Sequence, residues 1–281
     1  MIDTQIKMKV WANGTTVTYD DVGIRFPKNI GVSYCSNIYW NDVDGFEPNT
    51  WRIIRHFLER SDKFIDIGSN IGFYSVLASK VNAKLDIAAY EPVPSIFKKN
   101  LEFHKVNNLQ YEHIENAAIG EFDGDVEIYL PIDSRYLEEQ TTATLRKDSW
   151  QFSKEHETFK VRSIPLDKVL GECKASDKLF IKIDVEDYES GVLKSGAKSL
   201  SSLKPAIVCE ILPRDHGNQE TIKIIEGYGY IAFGISSDGL LRFSAKDFIG
   251  PRNFTDFLLL HNSVAPNLNF LSYRNIGTIN W

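Results

Sequence analysis

The fold is decided by residues 63–78, which read KFIDIGSNIGFYSVLA. The apolar run 64–67 predicts a short buried strand, and the small polar residues 68–70 interrupt it with a turn. Apolar side chains then recur with helical spacing, which predicts a helix over 71–80. Strand, tight turn and helix in this order are typical of the start of a doubly wound α/β sheet. In such sheets ligands bind beyond the carboxyl ends of the strands, where the strand order reverses.

The turn itself indicates what kind of ligand it takes. Gly68 can adopt a positive φ, and Gly72 lets the first helical turn come close to a ligand or to the strand. A dinucleotide fingerprint would require glycine at positions 68, 70 and 73, but the chain has Asn70 and Phe73, so a pyrophosphate is disfavoured here. The carboxylate of Asp66, directly before the turn, suits a cationic ligand such as the sulfonium of S-adenosylmethionine.

A second acid follows the next apolar run. Residues 85–90 form that run, Glu91 ends it, and Pro92 and Pro94 stop the strand and start a helix. A carboxylate at this position can accept hydrogen bonds from the two hydroxyls of a ribose. The alternative is that Asp66 and Glu91 only complement helix dipoles. Acids at two successive strand ends favour the ribose interpretation.

The third strand, 111–116, ends in an amide and small residues. Asn116 can offer its amide to the edge of an adenine ring. Ala117 and the small residues after it would let the ring lie flat. The alternative is that this segment is only a strand end, and the residues do not decide between the two.

The last two parallel strands, 178–184 and 206–212, provide the catalytic candidates. Asp184 lies at the tip of the first, Glu210 near the tip of the second, and His216 in the loop that follows. Each could act as a general base for a hydroxyl that loses its proton. Glu186, two residues after Asp184, is a supporting candidate.

These residues also have simpler interpretations. Lys182 and Asp184 share a strand face and could only neutralise each other. Glu186 could serve a helix dipole together with Glu189, and a loop histidine such as His216 is often only solvated. The acids could instead hold Mg²⁺, but no dedicated ligand spacing identifies a metal, so a site without metal is preferred.

The flanking segments differ from the sheet. Residues 1–47 contain stretches in which apolar and polar side chains alternate, and they are rich in aromatic side chains. This pattern predicts a small N-terminal cap of strands and loops, and residues 48–281 then form the main domain. Residues 123–125 predict a hairpin turn. The polar segment 131–157 predicts a lid over the substrate. Strands 230–235 and 254–261 predict an antiparallel pair at the sheet edge.

Composition excludes several classes of protein. The 281 residues are 43% hydrophobic and 25% charged, with a net charge of −6, so non-specific attraction to nucleic acid is not expected. Three widely spaced cysteines give no disulfide framework. We expect no signal peptide and no membrane span, a cytoplasmic location, and either a monomer or a homo-oligomer.

Together the strand-end motifs resemble the FkbM-type methyltransferases over about residues 45 to 215. The segments that carry this resemblance are Phe64–Ser75, Tyr90–Pro92, Ser163–Asp167, Ile181–Glu186 with Glu189, and Lys204-Pro205 with Glu210-Ile211. The resemblance implies a Rossmann-like, seven-stranded sheet and S-adenosylmethionine-dependent O-methylation. The family pattern often has glycine after its Asp-Val-Glu acid, where this chain has Asp187.

By that resemblance Asp66, Gly68 and Asn70 hold the methionine end, Glu91 the ribose, and 116–117 the adenine edge. The full set of cofactor candidates is Asp66, Gly68, Ser69, Asn70, Gly72, Phe73, Glu91, Pro92, Asn116, Ala117, Asp184 and Glu186. The expected acceptor is a sugar hydroxyl in a glycan or a glycosylated metabolite. The alternatives are a non-sugar metabolite, a dinucleotide-dependent oxidoreductase, or a binding module without catalysis.

Overall fold

The computed structural model describes residues 14–28, 30–109, 113–131, 143–146, 156–212, 218–244, 255–267 and 269–279. Most of the predicted lid, and the base candidate His216, lie outside these described residues. No helix within them has the length and apolarity needed to cross a membrane.

The strands are numbered in chain order. They are β1 (Thr16–Tyr19), β2 (Val22–Arg25), β3 (Lys63–Ile67), β4 (Asp86–Tyr90), β5 (His113–Glu115), β6 (Ala118–Ile119), β7 (Gly124–Pro131), β8 (His156–Ile164), β9 (Leu179–Ile183), β10 (Ala206–Glu210), β11 (Tyr230–Ile235), β12 (Gly239–Phe243), β13 (Asp256–His261) and β14 (Phe270–Ser272).

The helices follow the same rule. They are α1 (Val32–Asn41), α2 (Pro48–Leu58), α3 (Phe73–Val81), α4 (Pro94–Val106), α5 (Leu166–Val169), α6 (Glu189–Ser195), α7 (Ala197–Leu203) and α8 (Asn218–Gly227), with short 3-10 helices at Asp42–Gly45, Leu170–Glu172 and Tyr273–Thr278.

The main sheet has the order β14-β12-β11-β13-β10-β9-β3-β4-β5. The strands from β10 to β5 are parallel, and those from β13 to β14 are antiparallel. The chain enters at β3, moves outward through β4 and β5, and returns to β9 on the other side of β3. The strand order therefore reverses between β3 and β9, which is where a doubly wound sheet binds its ligand.

The central strands are apolar because both faces of the sheet are covered. Phe64 and Phe180 stack on the face that carries the cap, with ring centroids 5.5 Å apart. Ile65 and Ile181 pack on the opposite face with α6 and α7. Every side chain of β9 is buried, including that of Lys182. A buried lysine in an apolar strand requires charged partners, so it points to the site.

The predicted α/β sheet is confirmed, and among the described residues it has nine strands where the resemblance implied seven. The predicted pair β11 and β13 is antiparallel, as expected. It does not form the edge, because β12 and β14 extend the sheet beyond β11. β14 has only three residues and a half-exposed pattern, so its sequence gives no periodic signal.

The predicted hairpin around residues 123–125 is wrong. β6 and β7 do not pair with each other, because β8 lies between them in a separate three-stranded sheet. β8 runs parallel to β6 and antiparallel to β7. The turn residues do reverse the chain, but the strand that pairs with β7 is β8, which begins about thirty residues later in the sequence. Local turn chemistry does not reveal such a distant partner.

The N-terminal cap contains the β1–β2 hairpin and also a helix, α1, which the prediction of strands and loops missed. The α1 sequence VSYCSNIYWN has mostly residues of modest helix propensity. Burial of Cys35 and Ile38 stabilises the helix instead. The cap packs on the main domain through Arg25, whose backbone N–H donates to the side chain of Asn107, directly after α4, over 3.0 Å.

Candidate active site

The turn after β3 is built from left-handed residues. Gly68, Asn70 and Gly72 have φ values of 75°, 50° and 83°. A Cβ on Gly68 would lie 1.8 Å from the backbone oxygen of Asp184, so only glycine fits between β3 and the end of β9. The predicted positive φ of Gly68 is confirmed.

Side chains from two neighbouring elements hold this turn in place. Glu91 accepts hydrogen bonds from the backbone N–H of Asn70 over 3.0 Å and from that of Val93 over 2.8 Å. Asn100 of α4 donates to Ser69 Oγ over 3.0 Å and to the Asn70 carbonyl over 2.7 Å. The first and second strand ends are therefore joined through the Glu91 carboxylate. Burial raises the pKa of Glu91 to about 7, against the opposing effect of these backbone hydrogen bonds.

A cavity of about 210 Å³ opens at the carboxyl ends of β3, β4, β9 and β10. Most of the candidates predicted from the sequence line it. These are Gly68, Ser69, Asn70, Phe73, Glu91, Pro92, Ala117, Asp184, Glu186 and Glu210. The structure thus brings residues from four separate strand ends to one cavity.

Three predicted ligand contacts, those of Asp66, Gly72 and Asn116, lie outside this wall. Asp66 is buried, and its Oδ2 accepts a hydrogen bond from Ser75 Oγ over 2.6 Å beneath the turn. Gly72 faces α4, because a Cβ there would lie 2.4 Å from the His104 ring and 2.8 Å from Asn100 Oδ1. The close approach predicted for Gly72 therefore serves helix packing.

The amide of Asn116 is used within the protein. Its Nδ2 donates to the backbone carbonyls of Glu91 and Pro92, over 2.8 and 2.9 Å, and Asn116 is not one of the cavity-lining residues. These bonds give Asn116 a structural role at the strand end, and its contact with a ring edge stays a prediction. An apolar wall lies beside it, formed by Ala117, Ala118, Ile119, Ile128, Ala143 and Leu145.

Lys182 is the charged centre of the site. Its Nζ donates to Asp184 Oδ2 over 2.8 Å and lies 5.1 Å from the centroid of the Tyr74 ring. Burial alone would lower the pKa of Lys182, but Asp184, Asp66 and Glu47 together outweigh it and raise that pKa. Lys182 is therefore a permanent cation, and it was missed as a site residue.

Carboxylate oxygens of Asp184 and Glu210 lie within 4.8 Å of each other, and each group affects the pKa of the other. Burial would raise the pKa of Asp184, but Lys182 outweighs it and holds the pKa below its ordinary value. Burial and the nearby charge of Asp184 raise the pKa of Glu210. Asp184 thus carries the negative charge of the pair and Glu210 the proton.

The loop after β9 is strained. Glu186 and Asp187 have φ values of 50° and 83°, and neither is a glycine. The backbone of Asp187 keeps the conformation that glycine would adopt there. Its N–H donates to Glu189 Oε1 over 2.9 Å, and its carboxylate pairs with Arg146 over 3.3 Å. Burial raises the pKa of Glu189 to about 8.

Oxygen atoms of Asp184, Glu186 and Glu210 all lie within 4.8 Å of one another. Such a group can hold a divalent cation, and Mg²⁺ prefers oxygen ligands. In this arrangement, however, Lys182 already supplies a positive charge to Asp184. The structure thus brings together the acids of the Mg²⁺ alternative without favouring it.

The cap supplies one wall of the cavity, and sequence reasoning missed its residue Glu47. Tyr34, Phe46 and Glu47 line the cavity, together with Tyr74 of α3. The rings of Tyr34 and Phe46 lie 4.6 Å apart. The aromatic composition of the cap was the available signal, but Glu47 had none, since its position depends on how the cap folds over the sheet.

The family follows from a sequence comparison made over the same strands. The sequence model of the family described as Methyltransferase FkbM domain matches residues 66–232, more than half of the chain. The chain belongs to the FkbM methyltransferase family. The FkbM region includes the turn, Glu91, Lys182, Asp184 and Glu210, and it leaves the cap outside. A search of curated proteins found no match for the chain.

Solved structures with a similar fold include three methyltransferases. An FkbM methyltransferase from Methylobacillus flagellatus KT is 16% identical, with a TM-score of 0.37, and the match covers 72% of this chain and 44% of that one. Precorrin-6y C5,15-methyltransferase from Geobacter metallireducens GS-15 is 12% identical, with a TM-score of 0.41, and the match covers 82% of this chain and 95% of that one. The O-methyltransferase from Bacillus cereus in complex with SAH is 11% identical, with a TM-score of 0.41, and the match covers 76% of this chain and 80% of that one. The chain thus spans less than half the length of the Methylobacillus protein.

Proposed function

We propose that this protein transfers the methyl group of S-adenosylmethionine to a hydroxyl of a sugar, within a glycan or a glycosylated metabolite. The observation that carries the proposal is the cavity at the switch point of an FkbM domain. There the left-handed turn, the Glu91 carboxylate and the Lys182–Asp184 pair meet. The proposal extends the family membership to a donor, a bond type and an acceptor class.

The residues of the cavity fit the donor. The Oδ1 atom of Asn70 is enclosed and accepts no hydrogen bond from the described residues, which suits the ammonium of the methionine portion. Glu91 presents a carboxylate to the cavity, which suits two ribose hydroxyls. The apolar wall that starts at Ala117 suits an adenine ring. When bound, the donor supplies an electrophilic methyl group on a positively charged sulfur.

The protein's contribution is alignment and charge. Fixing two reactants in the correct geometry can lower a barrier by roughly 7–11 kcal/mol. Gly68, Asn70 and Glu91 would fix the donor, and a general base would add about 10² to 10⁴-fold by accepting the hydroxyl proton. Asp184 and Glu210 remain candidates for that role at the acceptor end. Asp66 would act from beneath the turn through Ser75 and Lys182, without touching the ligand.

Support for a sugar acceptor comes from the cap. Tyr34 and Phe46 present aromatic rings to the cavity beside the carboxyl groups of Glu47 and Glu210. Aromatic faces pack on the C–H faces of sugar rings, and carboxylates accept hydrogen bonds from hydroxyls. A non-sugar secondary metabolite is the main alternative, and it would need apolar contact without the polar groups.

Calorimetric titration with S-adenosylhomocysteine, in parallel with NAD, tests the donor. We expect micromolar binding of the first and none of the second, because Asn70 and Phe73 replace two glycines of a dinucleotide turn. Glu91→Gln should weaken binding at least tenfold. Glu102→Gln, on the exposed face of α4, should leave it unchanged.

The acceptor is tested with S-adenosylmethionine carrying a labelled methyl group and a panel of glycosides and glycosylated metabolites. Label on a sugar hydroxyl supports the whole proposal. Label only on non-sugar compounds contradicts the acceptor class, and binding of NAD alone contradicts the donor. Donor binding with no product on any compound would mean a binding module without catalysis.

A further inference from the structure

Glu47 lies at the junction of the cap and α2, outside the FkbM region. Its backbone has φ 40° and ψ 53°, in the left-handed region, directly before Pro48. A non-glycine residue avoids this region, and a residue before proline avoids it further. Such strain persists only where the surrounding structure fixes it, and it often marks a functional group. Here it directs the Glu47 side chain into the cavity.

The contacts of Glu47 place its carboxylate at the acceptor end. The hydroxyl of Tyr74 donates a hydrogen bond to Glu47 Oε2 over 2.5 Å. Both residues line the cavity, together with Asp184 and Glu210. Glu47 is an exposed residue, and it lines the cavity. It can therefore meet a hydroxyl that enters between the cap and the ends of β9 and β10.

The other two carboxyl groups are less suited to accept a proton. Asp184 Oδ2 accepts a hydrogen bond from Lys182 over 2.8 Å, and Lys182 stabilises the charged form of Asp184. Glu210 lies beside Asp184, and burial together with the Asp184 charge raises the pKa of Glu210, which favours its protonated form. A carboxylate that a neighbouring cation holds ionised is a weak base, and a carboxyl group that already carries a proton cannot accept another.

The charged and titratable groups around Glu47 favour a base that works near neutral pH. Burial raises the pKa of Glu47 to about 7, with Asp256 and Asp184 adding to the rise and Lys182 and Tyr74 opposing it. Tyr19 of the cap also senses the Glu47 charge. The optimum pKa of a general base lies near the working pH.

We propose that Glu47 is the general base that accepts the proton of the acceptor hydroxyl, with Tyr74 as its positioning residue. The proposal rests on the proposed function. The acceptor oxygen forms a bond to the methyl carbon as its proton passes to the Glu47 carboxylate. The bond between that carbon and sulfur breaks, and its electron pair stays on sulfur, which becomes a neutral thioether. The cap is then part of the catalytic machinery.

The test compares Glu47→Gln with Glu59→Gln, a matched change at the other end of α2 where Glu59 pairs with Arg55 outside the cavity. With a compound that the panel shows to be methylated, Glu47→Gln should lower kcat about 10²-fold or more and remove the acidic limb of the pH profile near pH 7. Affinity for S-adenosylhomocysteine should stay within twofold. Glu59→Gln should match the wild type in kcat, in pH profile and in affinity for S-adenosylhomocysteine.

Two further variants separate a chemical role from a structural one. Glu47→Asp should keep the acidic limb at a reduced rate, because it keeps a carboxylate. Tyr74→Phe should move the limb to higher pH, because the Tyr74 hydrogen bond lowers the pKa of Glu47. If the role of Glu47 were purely structural, the acidic limb of the Tyr74→Phe variant would stay at the wild-type pH.

The failure of this proposal can be told from that of the proposed function. If the wild type does not bind S-adenosylhomocysteine, both fail. If it binds and Glu47→Gln keeps the wild-type kcat and pH profile, only this proposal fails. Should no compound be methylated, carbon NMR of labelled glutamate carboxyls in the S-adenosylhomocysteine complex decides. A carboxyl that titrates near pH 7 and is absent from Glu47→Gln supports the proposal, and titration of Glu47 below pH 5 overturns it.

Discussion

The ammonium of Lys182 donates a hydrogen bond to Asp184 over 2.8 Å at the end of a strand whose other side chains are all apolar. Leu179, Phe180 and Ile181 precede the pair and Ile183 separates its members. Only 8% of the lysine side chain and 32% of the aspartate side chain are exposed. Such a pair is retained in an apolar strand at the cost of desolvation, which fits a functional role better than a contribution to stability.

Lys182→Met is therefore expected to destabilise the fold by about 1–3 kcal/mol, because it leaves the half-buried Asp184 without its cation. The Lys182→Met/Asp184→Leu double variant should recover most of that loss, since it removes both charges. Urea unfolding at pH 7 measures both. Equal loss in the single and double variants would show that packing of the lysine stem, and not charge pairing, is responsible.

The pH dependence of this pair has a definite sign. The pKa of Asp184 is lowered on folding, so its contribution to stability is present above the ordinary carboxyl value near 4 and is lost as pH falls through the folded value. The difference between wild type and Lys182→Met should therefore shrink below about pH 4. If the difference in unfolding free energy between wild type and Lys182→Met stayed constant from pH 7 to pH 3, the assignment of the charge to Asp184 would be contradicted.

Affinity for S-adenosylhomocysteine should depend on the ionisation of Glu91. Burial raises the pKa of Glu91 to about 7, and the ionised carboxylate is the form that accepts two ribose hydroxyls. Affinity should fall as pH drops below 7, by up to about tenfold per unit. Calorimetry from pH 5.5 to 8.5 measures this, and Glu91→Gln should bind weakly with a flat profile. A wild-type profile as flat as that of the variant would exclude Glu91 from the ribose site.

Gly68→Ala should abolish donor binding and destabilise the protein by more than about 2 kcal/mol, through positive φ and overpacking. The added methyl would meet the Asp184 backbone, which cannot move without shifting β9. Gly171→Ala is the matched control, because a Cβ at Gly171 has nothing within 4 Å. Thermal unfolding and calorimetry compare the two. Normal binding by Gly68→Ala would mean that the turn adapts easily.

Asp187 offers a test of backbone strain. With φ at 83°, Asp187→Gly should be more stable than Asp187→Ala by about 1 kcal/mol, since both lose the carboxylate and only glycine tolerates the backbone. The difference in urea midpoint between the two variants isolates the backbone effect from the loss of the Arg146 pair. Equal stability would indicate that the loop relaxes in solution.

The parts of the site predicted from the sequence are those whose signal is local. Gly68 and Glu91 end short apolar runs, and a parallel sheet brings the ends of such runs to one edge. The role of Lys182 could be weighed only as a neighbour of Asp184, because its other partner Asp66 comes from a different strand. Glu47 was not predicted at all, since only the packing of the cap places it in the cavity.

The same limit explains the errors in the fold. Helix α1 forms from residues of modest helix propensity because tertiary burial of Cys35 and Ile38 outweighs that propensity. The partners of the Asn116 amide could not be predicted from the sequence either. In the folded chain the carbonyls of Glu91 and Pro92 take that amide, and no pattern within the strand shows that they would.

Methyl transfer is expected to proceed without a metal ion, although oxygen atoms of Asp184, Glu186 and Glu210 lie close enough to share one. The Lys182 ammonium already stabilises the Asp184 charge, and a divalent cation beside it would suffer charge repulsion. Activity measured after treatment with a chelator and dialysis should equal that of untreated protein, and added Mg²⁺ should not raise it. A loss of activity that Mg²⁺ restores in the wild type and in Glu102→Gln, but not in Glu186→Gln, would instead identify these carboxylates as metal ligands.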